Sequence, residues 1–275
     1  MSTGTYSFVP AGQWIQNLPG LGDQTPDYVT GRVEGQLDAL RNLPPPARSL
    51  IEGSRGVILD VGPGEGVSSM ALAQFQPRAE ILGLEMDVRH LKAAWPDCRK
   101  FPNLRLAWGT LPGTPSNPRV HGDDSLPPPL ALPDGFCEVL HSTLGMSRKD
   151  AFGTSRAWSR AVGSACVLVL PRFWRAGTDS LSGAQQDLLR GLCSRLGVSP
   201  PSWEASVALP GFRSMETFPH GGGKTGRGWL LWLAGIFDGS TISLWDTLTD
   251  GRRSTPPQYE LPDLEMELEV IVARK

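Results

Sequence analysis

Residues 57 to 66 read Val-Ile-Leu-Asp-Val-Gly-Pro-Gly-Glu-Gly, and no other stretch constrains this chain as strongly. A short apolar run ends in Asp60, glycines alternate at Gly62, Gly64 and Gly66, and a helical pattern from Val67 to Phe75 follows at once. Such a turn lets backbone approach a ligand closely at a helix N-terminus, where the first N–H groups have no partner within the helix. A dinucleotide fingerprint requires Gly-x-Gly-x-x-Gly, with a pyrophosphate on the helix end. Here position 67 is Val and the third glycine comes one residue early. A second apolar strand, Glu80 to Glu85, ends in an acid 19 residues beyond Gly66. An acid at the tip of the neighbouring strand suits a two-point clamp on ribose hydroxyls.

Strand, Asp60, glycine turn, helix, strand and Glu85 in one unit resemble the first motifs of class I S-adenosylmethionine-dependent methyltransferases. The closest branch methylates quinones and secondary metabolites. Leu132-Pro-Asp-Gly135 before Phe136 to His141 also resembles the family's approach to its fourth strand, with Glu138 where Asp is usual. The resemblance covers residues 57 to about 170 and extends beyond only as topology. It implies an α/β, Rossmann-like fold: a seven-stranded, mostly parallel sheet with helices on both faces and an antiparallel last strand. It implies S-adenosyl-L-methionine as cofactor, contacted by Asp60, Gly62, Gly64, Gly66, Glu85, Met86 and Ser142. The family commonly ends its third strand with an Asp for the adenine amino group, but here the strand ends Gly109-Thr110. Thr110, with Leu111 packing on the ring, fills that role in one alignment. Asp123, in Val120-His-Gly-Asp123, fills it in another.

The 275 residues suit one α/β domain with insertions. Residues 1–55 would form an N-terminal helical lid, 56–175 the cofactor-binding core, and 176–275 the rest of the sheet with an insertion at about 221–260. Helical spacing covers residues 27–42, Pro44-Pro45-Pro46 ends that helix, and a short helix runs from Ala47 to Glu52. The aromatic, Gly- and Pro-bearing residues 1–26 read as a cover over an acceptor pocket. Further helices are expected around 88–95, within 149–162 and over 182–196. Strands are expected at 104–108 and 136–141, at 166–170 after a turn at Gly163, from Leu209-Pro-Gly-Phe212 onward, and at 266–273.

Mixed charge with a formal net of −2 shows none of the basic footprint of a nucleic-acid binder. Four scattered cysteines read as small core hydrophobes in a reducing compartment. The Met-Ser-Thr-Gly-Thr start has no basic or apolar character, and the longest apolar run is far short of a membrane span. A cytoplasmic protein is expected. No His/Cys/Asp cluster has metal spacing, so no metal is expected.

His141, at the end of the fourth strand, is the candidate catalytic base, since histidine ordinarily titrates near neutrality; a role in shaping the cofactor pocket is equally open. Ser142 and Thr143 are candidates for contacts with cofactor or acceptor. His220 is the second candidate base. Gly221-Gly-Gly223-Lys224-Thr225 lacks the spacing of a phosphate loop and reads as a flexible hairpin tip. The expected activity is O-, N- or S-methylation of a small, apolar or aromatic metabolite. A cyclase on the same fold and a non-catalytic nucleoside-binding regulator are the alternatives.

Overall fold

The computed structural model describes residues 13–14, 28–114, 129–146, 148–176, 208–225 and 264–275. Seven strands form one sheet: β1 (Val57–Val61), β2 (Glu80–Glu85), β3 (Leu104–Trp108), β4 (Cys137–Thr143), β5 (Val162–Ala176), β6 (Ser214–Thr225) and β7 (Leu264–Arg274). Their order is β3-β2-β1-β4-β5-β7-β6. The first five follow the doubly wound order, and β7 enters antiparallel between β5 and β6. That arrangement is the Rossmann-like fold of class I methyltransferases. Among the described residues, no helix is long and apolar enough to cross a membrane.

Helices α1 (Tyr28–Arg41), α2 (Pro45–Gly53), α3 (Val67–Phe75) and α4 (Val88–Cys98) cover one face, and α5 (Arg148–Trp158) covers the other. Period-2 alternation on buried strands explains the split. Ile58, Ile81, Leu106 and Val139 pack under α1 to α4, whereas Leu59, Leu82, Leu140 and Leu168 pack under α5 with Trp158. Asp60 and His141 continue the first set along β1 and β4, where they are register partners.

Several boundaries differ from the sequence reading. The proline run starts a helix as well as stopping one: α1 ends at Arg41, Pro44 is the N-cap of α2 and Pro45 its first residue, where a missing N–H costs nothing. Helix α4 continues through Pro96 to Cys98, carrying both into the core. Gly163 makes no turn. It lies within β5, beside the irregularity that puts Val162 opposite Cys137 but Ala165 opposite Val139, the setting of a bulge. The Gly221–Gly223 run is no hairpin tip either, because β6 carries its backbone along β7 as far as Thr225. The helix expected over 182–196, the insertion core from 226 to 263 and Cys193 lie outside the described residues, as does most of the 1–26 segment. Its two described residues meet the sheet edge: Trp14 bridges Ala107, and Gln13 Nε2 donates to Trp108 O at 2.9 Å. Cys98, Cys137 and Cys166 are buried and free. Burial pushes the Cys137 thiol up to about 12.

Glu138 accounts for its own departure from Asp. Its Oε2 accepts from Ser54 Oγ at 2.9 Å and from the N–H groups of Arg55 and Gly56 at 2.8 and 2.7 Å, fastening the α2–β1 connection to β4. Desolvation opposes ionisation, but the Gly56 and Arg55 donors with Ser54 outweigh it and hold the carboxyl below its ordinary value. A lowered folded value adds stability above the unfolded pKa that is lost as pH falls through the folded one. Glu138→Ala is expected to lower the melting temperature at neutral pH, and its deficit against wild type should shrink below about pH 4.5. Thermal melts across that range test this.

Candidate functional site

The carboxyl ends of β1 and β4 open on a cavity of about 580 Å³. The β1–α3 turn forms its floor, Thr143 and Leu144 one side, and His90 of α4 another. Helix α1 supplies the remaining wall. Its Val33, Leu37 and Leu40 are buried against Met70 and Ala71 of α3, so Arg32, Gly35 and Gln36 on the flanking face turn toward the cavity. Arg32 pairs with Glu65 across the opening.

Each glycine of the turn has a positive φ, but the three serve different neighbours. A Cβ on Gly62 would meet Gly145 Cα at 2.5 Å, and one on Gly145 would meet Val61 O at 2.1 Å. The β1–α3 and β4–α5 turns therefore touch backbone to backbone. A Cβ on Gly66 would meet Cys98 Sγ of α4 at 2.7 Å, whereas one on Gly64 meets nothing within 4 Å. Of the three, Gly64 alone has open space where a Cβ would stand.

The glycine N–H groups already have acceptors. Gly62 donates to Leu84 O at 2.9 Å, Gly66 to Pro63 O at 3.0 Å and Gly64 to Glu85 Oε2 at 2.8 Å. Glu85 Oε1 also accepts from Met86 and Asp87 N–H at 2.8 and 2.9 Å. Of a carboxylate's roughly four lone-pair sites, three are in use and the free one is on Oε2. Burial raises the Glu85 pKa, and the donors from Asp87, Gly64 and Met86, with nearby His90, only partly offset it.

Behind the floor lies a buried polar network. Asp60, 0% exposed, accepts at Oδ2 from Ser68 Oγ (2.7 Å) and Ser69 Oγ (2.6 Å). Its Oδ1 lies 2.8 Å from His141 Nδ1, and His141 is also 0% exposed. His141 Nε2 lies 3.3 Å from Thr143 Oγ1, which accepts from Gln36 Nε2 at 3.3 Å. Ser142 Oγ donates to Val61 O at 2.8 Å and is likewise buried.

The structure thus divides the expected residues. Gly62 and Gly64 line the cavity; Gly66, Asp60, His141 and Ser142 stand behind its wall; Glu85 braces the turn from the neighbouring strand. Met86, Thr110 and Leu111 gather at the tips of β2 and β3, off the cavity lining. There Trp108 Nε1 donates to Met86 O, Thr110 bridges Pro129, and Leu111 is buried. Asp123 is outside the described residues. His220 sits on edge strand β6, with β5 and β7 between it and β4. Among the described residues, no group of three or more His, Cys, Asp or Glu is placed to hold a metal. Sequence reasoning missed Arg32, Gln36, Glu65 and the Ser68–Ser69 pair. The i,i+4 spacing of Arg32 and Gln36 marks the polar face of α1, and two serines directly after the turn are within reach of a strand-end acid.

No protein-family model matches the sequence, and no curated protein matches it. Among solved structures, YcgJ from Bacillus subtilis is 14% identical, with 90% of this chain and 98% of that one covered and a TM-score of 0.46. Phosphoethanolamine N-methyltransferase 2 of Haemonchus contortus is 12% identical over 88% of this chain, with a TM-score of 0.43. This chain spans about half, 52%, of its length. Geranyl diphosphate C-methyltransferase of Streptomyces coelicolor A3(2) is 12% identical, with 93% and 86% covered and a TM-score of 0.41. Likeness at this level carries neither activity nor substrate to this chain.

The two cavity-side glycines should respond differently to alanine. Gly64→Ala is expected to cost about 1–2 kcal/mol, the price of a left-handed residue with a side chain. Gly62→Ala adds the clash with Gly145, about 1–3 kcal/mol more. Urea titration of the two variants measures the difference.

Proposed function

We propose that this chain is an S-adenosylmethionine-dependent methyltransferase that modifies a small, apolar or aromatic acceptor at O, N or S. The observation that carries the reading is the state of the β1–α3 turn. Its three glycine N–H groups are spent on protein acceptors, and two carboxylates, Glu65 and Glu85, stand beside it. A phosphate would find no glycine donor there. A cofactor with a cationic sulfonium centre and no phosphate suits the same surroundings. When bound, S-adenosylmethionine supplies an electrophilic methyl group.

The chain's own residues divide the remaining work. Gly64 leaves room at the turn for the cofactor, above the floor that Gly62, Gly66, Asp60 and Ser142 hold in place. Glu85 offers its free Oε2 lone pair to a ribose hydroxyl; a second hydroxyl would exchange with one of the backbone donors. Met86, Thr110 and Leu111 form the adenine end. His141 acts from behind the wall. Helix α1 excludes water from the acceptor side, where orientation and desolvation carry most of the rate for a transfer of this kind.

Two measurements test the reading. S-adenosylhomocysteine should bind in calorimetry, and incubation with methyl-labelled cofactor and a metabolite extract of the source should yield a labelled product by mass spectrometry. A wild-type protein that does neither is not this enzyme; product formed without cofactor would indicate cyclisation on the same fold. Glu85→Ala should weaken S-adenosylhomocysteine binding at least about tenfold, for the loss of charge-assisted hydrogen bonds of about 1.5–3 kcal/mol each. It should also lower the melting temperature, because three backbone N–H groups lose their acceptor. A variant of unchanged affinity would remove Glu85 from the cofactor site.

A further inference from the structure

The fully buried His141 touches no cavity surface, yet its network reaches one. Donors and acceptors along that network can be followed from the acid to the cavity. Gln36 Nε2 is an amide donor, so Thr143 Oγ1 accepts from it at 3.3 Å and still carries its own proton. The Asp60 carboxylate can only accept, so the imidazole proton is on Nδ1, and in the neutral ring Nε2 is then the acceptor for the Thr143 proton across 3.3 Å. Nδ1–H then donates to Asp60 Oδ1 at 2.8 Å. Asp60 Oδ2 is held by Ser68 and Ser69, so the carboxylate turns no further. Tying β1 to β4 needs only Asp60 and His141; the array continues beyond them to a threonine on the cavity wall, where it meets Gln36 of α1.

We propose that Asp60, His141 and Thr143 form a proton relay whose cavity end is the Thr143 hydroxyl, and that the acceptor is accordingly a hydroxyl compound. The inference rests on the methyl-transfer reading and narrows it to O-methylation. An amine or thiolate arrives with a lone pair ready, whereas an alcohol or phenol must lose its proton as the new bond forms. The acceptor hydroxyl takes the place of Gln36 Nε2 at Thr143 Oγ1. Its proton passes to Thr143 Oγ1 as the Thr143 proton passes to His141 Nε2, leaving an imidazolium against the Asp60 carboxylate. The acceptor oxygen keeps the electron pair and forms the bond to the methyl carbon, whose old bond pair returns to sulfur. Thr143 is the catalytic residue; His141 and Asp60 act through it. Of the titratable and charged groups near the array, Asp60 on β1 is in contact with His141, and Arg32, Glu65 and His90 from α1, the turn and α4 line the cavity that Thr143 faces.

Nitrogen-15 NMR of the histidine-labelled full chain reads the array without any acceptor. The chain has four histidines, and substitution of each assigns its signals. His141 is expected as the neutral Nδ1–H tautomer, with an Nε2 resonance that shifts in Thr143→Val while the melting temperature holds. An Nε2–H tautomer, or an Nε2 signal blind to Thr143→Val, overturns the relay. In the labelled-extract assay, Thr143→Val should lower product formation about 10²–10⁴-fold. The relay also predicts a wild-type rate that falls at acid pH, because a proton already on His141 Nε2 removes the acceptor. Thr143→Val should abolish that fall and change S-adenosylhomocysteine affinity less than about threefold, and Thr143→Ser should restore both rate and pH profile. Unchanged rate in Thr143→Val, or rate and affinity lost together, also overturns it. A wild type that binds no S-adenosylhomocysteine and labels no product sinks the methyl-transfer reading, and the NMR result then still decides whether the array exists.

Discussion

A carboxylate shut away from water holds the centre of this molecule together. Removing the Asp60 charge from solvent costs several kcal/mol by itself, and the chain meets that cost with the serine hydroxyls at the start of α3 and the imidazole of β4. Asp60 and those partners lie on three parts of the fold: the first strand, the helix that leaves its turn, and the strand β4 that pairs with the first. Anchoring Ser68 and Ser69 sets the direction in which α3 departs, and with it the height of Gly64 above the sheet. The cavity floor is thus defined by a polar interaction in an otherwise apolar layer, where any unpaired member would be expensive.

Local patterns with short periods were legible in the chain. Strand ends, the turn and both strand-tip acids could be read because alternation and glycine spacing are properties of adjacent residues. The orientation of the carboxylates was not. Asp60 reads as a ligand contact when only its place at a strand end is known, yet it faces the α3 layer because residue 60 has the parity of Ile58. Gly163 looked like a turn because a glycine before an apolar run usually is one; it lies instead just past the Cys137–Val162 pair, where β5 fits an extra residue into a parallel ladder. Proline was misread in a similar way: Pro45 and Pro96 stand where a helix tolerates a missing donor or where burial outweighs it. Thr143 and Gln36 meet across 107 positions of chain, a distance over which no pattern of neighbours carries information.

Helix α1 shows how one element serves two ends of the argument at once. Its apolar stripe is ordinary core, and that same packing fixes the rotation about its axis. Arg32 and Gln36 consequently face the cavity, where they meet Glu65 and Thr143. The orientation of the wall is inherited from the hydrophobic side of the helix, so a core substitution at Val33 or Leu37 would be felt at the cavity.

The contact between Gly62 and Gly145 carries a mechanical consequence. Two loops that meet at bare backbone, with no side chain to act as a cushion, have no soft degree of freedom between them. The floor and the β4 side of the cavity are therefore held at one fixed spacing beside the switch in strand order. The opposite wall is different, because α1 meets α3 through side chains that can repack. The width of the cavity is then a property of a helix interface rather than of the loops that form its floor.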